Sequence, residues 1–302
     1  MTESKAFYLR PRQPGMYRVV TFGWLAVLLC LLQLTAVPVV AADSGETVAP
    51  TVLITGSNRG IGLEFARQYA AAGWQVLATC RKPDQADNLQ AIAAEFPNLL
   101  VRQLDVTDPE SIKRLADAMQ DQPVHVLLNN AALLGPRDSQ FFGQQDFALA
   151  ASQYEVNVLG PVRVAEAFID NVRAAGPGKI VTLGSAAGSN GYLRPPADFH
   201  SYRASKAALH FWMHNLSLQL ADEGIIVGLI NPGLVDTRGL ADIGPDDPVP
   251  EDFVQIVKLI RAGAIELTTP EDSVKAMVAL IDSMTPEQSG AFLNANGEPM
   301  PW

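Results

Sequence analysis

Short runs of apolar residues alternate with longer amphipathic stretches from residue 51 to the end of the chain. The apolar runs predict seven strands, at 51–55, 75–79, 99–104, 125–128, 179–183, 225–230 and 291–293. The first two helices are predicted at 61–72, where Gly73 ends the pattern, and at 87–96, where Pro97 ends it. Strands that are apolar on both faces and alternate with helices are typical of a parallel sheet covered on both sides. The pattern therefore predicts an α/β fold with a doubly wound parallel sheet and three layers, α/β/α.

The first 42 residues follow a different pattern. No charged residue occurs from Val19 to Ala42, and the residues before this run carry four basic side chains and one acidic side chain. A positive region, an apolar region and then small residues, here Val40-Ala41-Ala42, are typical of a secretory signal peptide. The apolar run is also long enough for a spanning helix of about 20 residues. We therefore predict a signal peptide or membrane anchor in 1–42, followed by a linker in 43–50.

This segment also predicts the location of the protein. The order of charges and apolar residues predicts an exported or membrane-anchored protein with possible membrane contact through residues 19–42, and a cytoplasmic location is the alternative. The folded part would be residues 51–302, a length that suits one α/β domain.

Charge and cysteine content narrow the classes of function. The chain has 22 Lys and Arg residues against 32 Asp and Glu, a formal charge of −10, which disfavours a nucleic-acid partner. Without residues 1–42 the balance is 18 basic to 31 acidic, a charge of −13. Two cysteines, Cys30 and Cys80, cannot form a disulfide framework, and with four histidines they give no zinc-binding spacing. We expect neither a nucleic-acid partner nor a metal.

A glycine-rich segment joins the first predicted strand to the first helix. It reads Gly56-Ser57-Asn58-Arg59-Gly60-Ile61-Gly62. Glycines allow the backbone to approach a pyrophosphate, and a helix N-terminus supplies free N–H donors for it. In doubly wound sheets, ligands bind at the carboxyl ends of the strands. The segment predicts a Rossmann-type dinucleotide site, and a tight turn without a ligand is the alternative.

The end of the second strand bears on the choice of nicotinamide cofactor. An acidic residue about 20 positions after the glycines would accept a hydrogen bond from the ribose 2′-hydroxyl of NAD(H). This chain has Cys80-Arg81-Lys82 there, and Arg59 adds a further cation from the glycine loop. Because a guanidinium pairs well with a phosphate, we predict NADP(H). In the alternative interpretation, Arg81 and Lys82 are solvated loop charges.

Tyr202 and Lys206 are four residues apart and therefore share one face of a helix. A free tyrosine has a pKa of about 10, and a nearby cation favours the phenolate. We therefore predict that Lys206, together with the positive charge of the nicotinamide, lowers the pKa of Tyr202 for proton exchange. A solvent-facing pair without function is the alternative interpretation of this spacing alone.

Taken together, these motifs resemble the classical short-chain dehydrogenase/reductase family over about 51–302. The segments 53–65, 78–81 and 297–302 look most like the small carbonyl reductases related to Sniffer and to the C-factor signalling proteins. The resemblance implies that Tyr202 donates a proton to the substrate and that Ser185 polarises its carbonyl group. It also implies that Asn157 holds a water beside Lys206.

The resemblance further implies a set of cofactor contacts. Asp105 and Val106 would contact the adenine, and Asn130 and Ala131 the adenosine ribose. The backbone and hydroxyl groups of one further segment would hold the nicotinamide carboxamide: Pro232, Gly233, Val235 and Thr237. Tyr202 and Lys206 would also contact the cofactor.

The predicted function is therefore an NADP(H)-dependent oxidoreductase that reduces an aldehyde or ketone to an alcohol by hydride transfer. An NADP(H)-binding sensor or signalling module with little turnover is the alternative. The predicted partners are a small carbonyl substrate and, by resemblance, a second copy of the chain in a homodimer or homotetramer, through helices near 154–172 and 202–221. The segments 190–200 and 238–269 are expected to border the substrate, the second as a lid.

Two motifs suggest other chemistry. His210 and His214 have a spacing that can chelate a metal, but no third ligand accompanies them, so a core or subunit contact is the better interpretation. The segment Gly184–Gly188 resembles a hydrolase elbow but lacks the G-x-S-x-G spacing.

Overall fold

The computed structural model describes residues 49–193, 198–244, 247–249 and 253–302. The predicted signal peptide or anchor, 1–42, lies outside the described residues, as does most of the predicted linker. Among the residues that are described, no helix is long and apolar enough to cross a membrane.

Seven parallel strands form one sheet in the order β3-β2-β1-β4-β5-β6-β7. The strands are β1 (Thr51–Ile54), β2 (Gln75–Cys80), β3 (Leu99–Gln103), β4 (Val126–Asn129), β5 (Lys179–Leu183), β6 (Ile226–Asn231) and β7 (Phe292–Asn294). The predicted doubly wound sheet is confirmed. The strand order reverses between β1 and β4, so a crevice opens at their carboxyl ends.

Helices cover both faces of this sheet. They are α1 (Gly60–Ala71), α2 (Asp87–Glu95), α3 (Pro109–Ala118), α4 (Phe147–Tyr154), α5 (Gly160–Ala167), α6 (Ile169–Ala174), α7 (His200–Gln219), α8 (Val254–Arg261) and α9 (Pro270–Ser283). Val52 and Ile54 of β1 belong to the core cluster that includes Phe65 of α1, whereas Leu53 belongs to the cluster that includes Leu209 of α7. Because successive strand residues face opposite sides, one short apolar strand contributes to both layers.

The region 147–174 contains three helices, α4, α5 and α6, and not one continuous helix. A π-helical turn, Glu155–Leu159, separates α4 from α5, and Pro161 lies in the first turn of α5. Proline suits a first helical turn because its missing N–H has no partner there in any case. The π-helical turn places Asn157 in the interior, where its side chain is fully buried.

Candidate active site

A cavity of about 570 Å³ lies at the carboxyl ends of β1 to β4. This volume is within the range of small-molecule sites, about 300–1,000 Å³. Twelve of the predicted cofactor-binding residues line it: Gly56, Asn58, Arg59, Gly60, Ile61, Gly62, Arg81, Asp105, Val106, Asn130, Ala131 and Thr237. The fold therefore gathers residues from five separate loops around one space.

Two glycines of the loop, Gly56 and Gly62, leave no room for a side chain. A Cβ on Gly62 would lie 2.3 Å from Asn130 Nδ2 and 2.4 Å from the Gly56 carbonyl oxygen. Gly56 itself has a φ of +70°, which favours glycine. Asn130 Nδ2 donates to the carbonyl oxygens of Thr55 and Gly56 at 2.8 and 2.9 Å. At Gly56 and Gly62 the loop therefore presents only its backbone to the cavity.

Thr55 is a support residue that the sequence analysis did not identify. Its hydroxyl is buried and accepts hydrogen bonds from the backbone N–H groups of Asn130 and Ala131, both at 3.0 Å. It therefore joins the end of β1 to the segment after β4. Its position directly before Gly56 was the only sequence signal for this role.

The N-terminus of α1 faces the cavity through Gly60, Ile61 and Gly62. Arg59 at the N-cap gives no side-chain hydrogen bond to the helix, so the first N–H groups are not capped from within. Arg59 and Arg81 are both exposed on the same lining. Uncapped N–H groups, a helix dipole and two cations suit a ligand with several phosphate groups.

Six of the predicted cofactor residues do not line this cavity, and two of them, Tyr202 and Lys206, belong to α7. Ser57 is fully buried, and its hydroxyl donates to the Ile54 carbonyl oxygen at 3.0 Å, so it stabilises the turn. The Pro232 carbonyl oxygen accepts from Ser273 Oγ, and Val235 forms a bridge with Thr268. Gly233, with a φ of +83°, is also outside the lining.

The predicted catalytic side chains meet where β5 ends. Ser185 follows β5, and its side chain is close enough to Tyr202 to lower the pKa of the phenol. Lys206 lies one turn further along α7, is 4% exposed, and donates from Nζ to the Leu183 carbonyl oxygen at 2.8 Å. The Lys206 Nζ lies 6.0 Å from the centroid of the Tyr202 ring. The structure therefore brings Tyr202, Lys206 and Ser185 together.

Burial decides the charge states in this group. It lowers the pKa of Lys206 from 10.5 to about 8. It raises the pKa of Tyr202, an effect that the hydrogen bond with Ser185 partly offsets. Removal of the phenol from water therefore outweighs the attraction of the Lys206 ammonium group, whose Nζ lies 6.0 Å from the centroid of the ring. The lowered pKa, which depends on the positive charge of the nicotinamide as well as on Lys206, stays a prediction.

Asn157 connects α7 to the segment after β4. Its Oδ1 accepts from the Leu133 N–H at 2.7 Å, and its Nδ2 donates to the Leu133 carbonyl oxygen at 2.9 Å and to Ser205 Oγ at 3.0 Å. Both amide hydrogens therefore bind protein acceptors. Through Ser205, the residue before Lys206, Asn157 connects the segment after β4 to α7.

A family model described as short chain dehydrogenase matches residues 50–248. The chain belongs to this family. An uncharacterized oxidoreductase of Schizosaccharomyces pombe is 33% identical to this dehydrogenase over 260 residues, which cover 85% of the chain and 100% of the relative.

Solved structures show the same relationship. A carbonyl reductase from chicken fatty liver, crystallised with NADPH, is 30% identical with a TM-score of 0.70, over 84% of this chain and 99% of that one. A Burkholderia multivorans protein with bound NADP is 28% identical with a TM-score of 0.69, over 84% and 100%. The carbonyl reductase Sniffer of D. melanogaster has a TM-score of 0.69 over 84% and 100%, and at 23% identity it shows a shared fold.

His210 of this short-chain dehydrogenase is a core residue that contacts Ser185. It is 2% exposed, and its Nε2 accepts from the Ser185 backbone N–H at 3.2 Å. Burial and the charge of Lys206 lower its pKa to about 3, so the ring is neutral near pH 7. His214 Nδ1 lies 3.1 Å from the Gly290 carbonyl oxygen. Within the described parts of the chain, no three His, Cys, Asp or Glu side chains are grouped as a metal site.

Proposed function

We propose that this chain is an NADP(H)-dependent carbonyl reductase that converts an aldehyde or ketone to an alcohol, with Tyr202 as proton donor. The observation that carries the proposal is the position of Tyr202 near Ser185 and beside buried Lys206, whose Nζ lies 6.0 Å from the centroid of the Tyr202 ring. Asn157 connects this group to the cavity that the glycine loop lines, because its Nδ2 donates both to the carbonyl oxygen of Leu133, on the lining, and to Ser205 Oγ, next to Lys206. The chicken carbonyl reductase that matches at 30% identity was crystallised with NADPH, which supports the same cofactor here.

The residues of the cavity fit NADP(H). The bare glycine loop and the N-terminus of α1 would hold the pyrophosphate, and Arg59 and Arg81 would pair with a 2′-phosphate. Asp105, on the same lining, already accepts through Oδ1 from the N–H and hydroxyl of Thr107. When bound, the nicotinamide supplies the hydride for the carbonyl carbon.

The preference for the phosphate can be tested at Arg81. A hydrogen bond to a charged group contributes about 1.5–3 kcal/mol, so Arg81→Ala should raise the KM for NADPH by about 10- to 100-fold and leave that for NADH nearly unchanged. Arg102→Ala is a matched control, because Arg102 is an exposed arginine on β3 that does not line the cavity. Equal KM values for NADPH in the parent and the Arg81 variant would contradict the assignment.

Three side chains have separate roles in the proposed proton transfer. The raised pKa of Tyr202 keeps its phenol protonated at neutral pH, which suits a donor to the developing alkoxide. Ser185 can donate a hydrogen bond to the carbonyl oxygen of the substrate and polarise it. Lys206 uses one of its three N–H donors on Leu183, and its charge stabilises the phenolate that remains after transfer.

Tyr202→Phe tests this mechanism. General acid catalysis contributes about 10²–10⁴-fold, so kcat with a panel of aldehydes, ketones and quinones should fall by that factor. The dissociation constant for NADPH, measured by fluorescence, should stay close to that of the parent. Persistent turnover in the variant would refute the role of Tyr202. Cofactor binding by the parent without turnover of any carbonyl would favour the sensor function.

We also propose assembly through α5 and α7. A groove of about 270 Å³ is lined by residues of these helices that include Val162, Ala165, Trp212 and Leu216. Phe211 and Leu218 of α7 are 71% and 67% exposed. Large apolar side chains on one helix face favour a covering subunit. Sedimentation equilibrium should give a dimer or tetramer, and a monomer at micromolar concentration would contradict the proposal.

We propose that residues 1–42 direct export or anchor the chain at a membrane, and that 51–302 is the catalytic domain. The proposal is supported by the basic residues, apolar run and small residues of the sequence. Sequencing of the mature N-terminus distinguishes cleavage from anchoring. Protease accessibility in intact cells shows on which side of the membrane the domain lies.

A further inference from the structure

Gln140 is a fully buried polar residue in the connection between β4 and α4. Its Nε2 donates to the carbonyl oxygens of Leu134 and Pro136, both at 2.8 Å. Both amide hydrogens therefore fix the shape of its own loop, 133–146. Leu133 and Leu134 of this loop line the proposed cofactor cavity.

The amide oxygen of Gln140 points to the catalytic helix. Gln140 Oε1 accepts from the Tyr202 backbone N–H at 3.2 Å and from Ser201 Oγ at 3.1 Å. Gln153 Nε2, from α4, donates to the same oxygen at 3.0 Å. The backbone carbonyl oxygen of Gln140 also accepts from the His200 N–H at 3.1 Å.

These contacts take the place of an N-cap side chain, because the N-cap residue of α7 forms no such hydrogen bond. The first N–H groups of a helix have no partners within the helix. At the N-cap of α7, Phe199 has a φ of +54° and forms no side-chain cap hydrogen bond. Gln140, about 60 residues away in the sequence, satisfies two N–H groups of this first turn. One of them belongs to Tyr202.

We propose that Gln140 is a positioning residue that caps the catalytic helix and sets the location of the Tyr202 phenol. The inference rests on the proposed function, because it concerns the proton transfer by Tyr202. Gln140 also joins loop 133–146 to Tyr202. A change in the conformation of this loop would therefore move the proton donor. A displacement of about 1 Å at a reacting group can cost about 100-fold in rate.

A second connection between the loop and α7 does not pass through Gln140. Asp198, 7% exposed, accepts from Arg137 Nε at 3.0 Å and from Arg203 Nη2 at 2.8 Å. Arg137 belongs to the loop and Arg203 to the helix. We expect these ion pairs to hold loop 133–146 against α7 when Gln140 is substituted. The Gln140 variants therefore keep one set of contacts between the two elements.

Two substitutions separate capping from loop anchoring. Gln140→Met keeps the side-chain length and removes every polar atom, whereas Gln140→Glu keeps an acceptor for the Tyr202 N–H and loses both Nε2 donors. We expect Gln140→Met to lower kcat by about 10- to 100-fold while the dissociation constant of NADPH changes by less than about threefold. Gln140→Glu should recover at least about a third of the parental kcat, because the helix N-terminus favours a carboxylate acceptor.

Gln145→Met is the matched control. Gln145 is in the same loop and its Nε2 also reaches Ser201 Oγ, at 3.2 Å, but it accepts no N–H of α7. Its kcat should equal that of the parent. The inference is overturned if Gln140→Met keeps the parental kcat, or if Gln140→Glu is as slow as Gln140→Met. If Gln140→Met does not fold, a kcat for Gln140→Glu within about threefold of the parent supports capping, and a larger loss overturns it.

Tyr202→Phe is measured beside these variants, so that failure of the proposed function can be distinguished from failure of the role proposed for Gln140. Turnover that persists in Tyr202→Phe refutes the proposed function itself. An inactive Tyr202→Phe combined with a fully active Gln140→Met leaves the function standing and overturns only the role of Gln140.

Discussion

Lys206 carries its charge in a buried position, and the stability of the protein should reflect this. In the protein without cofactor, the ammonium group has one backbone acceptor, the Leu183 carbonyl oxygen, among its described hydrogen bonds. Lys206→Met keeps most of the aliphatic stem and removes the charge. We expect this variant to be inactive and more stable than the parent at pH 7.

The magnitude follows from the shift in pKa. The decrease from 10.5 to about 8 corresponds to about 3 kcal/mol of unfavourable burial of the charge at 1.36 kcal/mol per unit. Removal of the side-chain donor leaves the Leu183 carbonyl oxygen without this partner, at a cost of about 1–3 kcal/mol. The variant should therefore gain up to about 2 kcal/mol in the free energy of unfolding at pH 7.

The sign of the pH dependence is also determined. Below about pH 8 both the native and the unfolded parent hold the Lys206 proton, so the penalty is constant. Between about pH 8 and 10.5 the unfolded chain binds the proton more tightly than the native protein, and the stability contributed by this group rises with pH. The advantage of Lys206→Met should therefore decrease above pH 8 and be lost near pH 10.

Urea denaturation at pH 7 and pH 10, without cofactor, measures both effects through the midpoint at constant m-value. Lys113→Met is the control, because Lys113 is an exposed lysine paired with Asp117 and carries no burial penalty. A Lys206→Met variant that is less stable than the parent at pH 7, or a difference that does not change with pH, would refute the reasoning.

Two further predictions concern His210 and the glycine loop. The pKa of His210 falls from 6.5 to about 3, so the parent should lose about 2–3 kcal/mol through this group between pH 7 and pH 4.5, because the unfolded chain binds a proton that the native ring does not. His210→Gln should lessen this acid sensitivity in urea titrations at the two pH values, and an unchanged slope would contradict the assignment. Gly62→Ala should abolish NADPH binding and cost about 1–3 kcal/mol, since its Cβ would lie 2.3 Å from Asn130 Nδ2. In the control Gly73→Ala, where φ is +83° and no atom lies within 4 Å, the cost should be about 1 kcal/mol with NADPH binding intact, and equal binding by both variants would count against the steric argument.

The strands and the glycine loop could be predicted because their signals are local. Apolar runs such as 179–183 became β5 with the predicted bounds, and Gly73 follows the end of α1 closely. The chain order of glycine loop, Asn157, Ser185, Tyr202 and Lys206 was sufficient to predict one family, which the comparisons confirm. By contrast, the division of 147–174 into three helices and a π-helical turn was not predicted, because it depends on buried contacts of single residues such as Asn157.

The sequence by itself determined the fold, the dinucleotide loop and the identity of the residues that meet at β5, because periodicity and glycine positions act over a few residues. The tertiary structure alone decided that burial raises the pKa of Tyr202, that His210 accepts from the Ser185 N–H and that Gln140 caps α7. These properties depend on burial and on partners about 25 to 60 residues apart in the chain, and no local pattern encodes the distance between such groups.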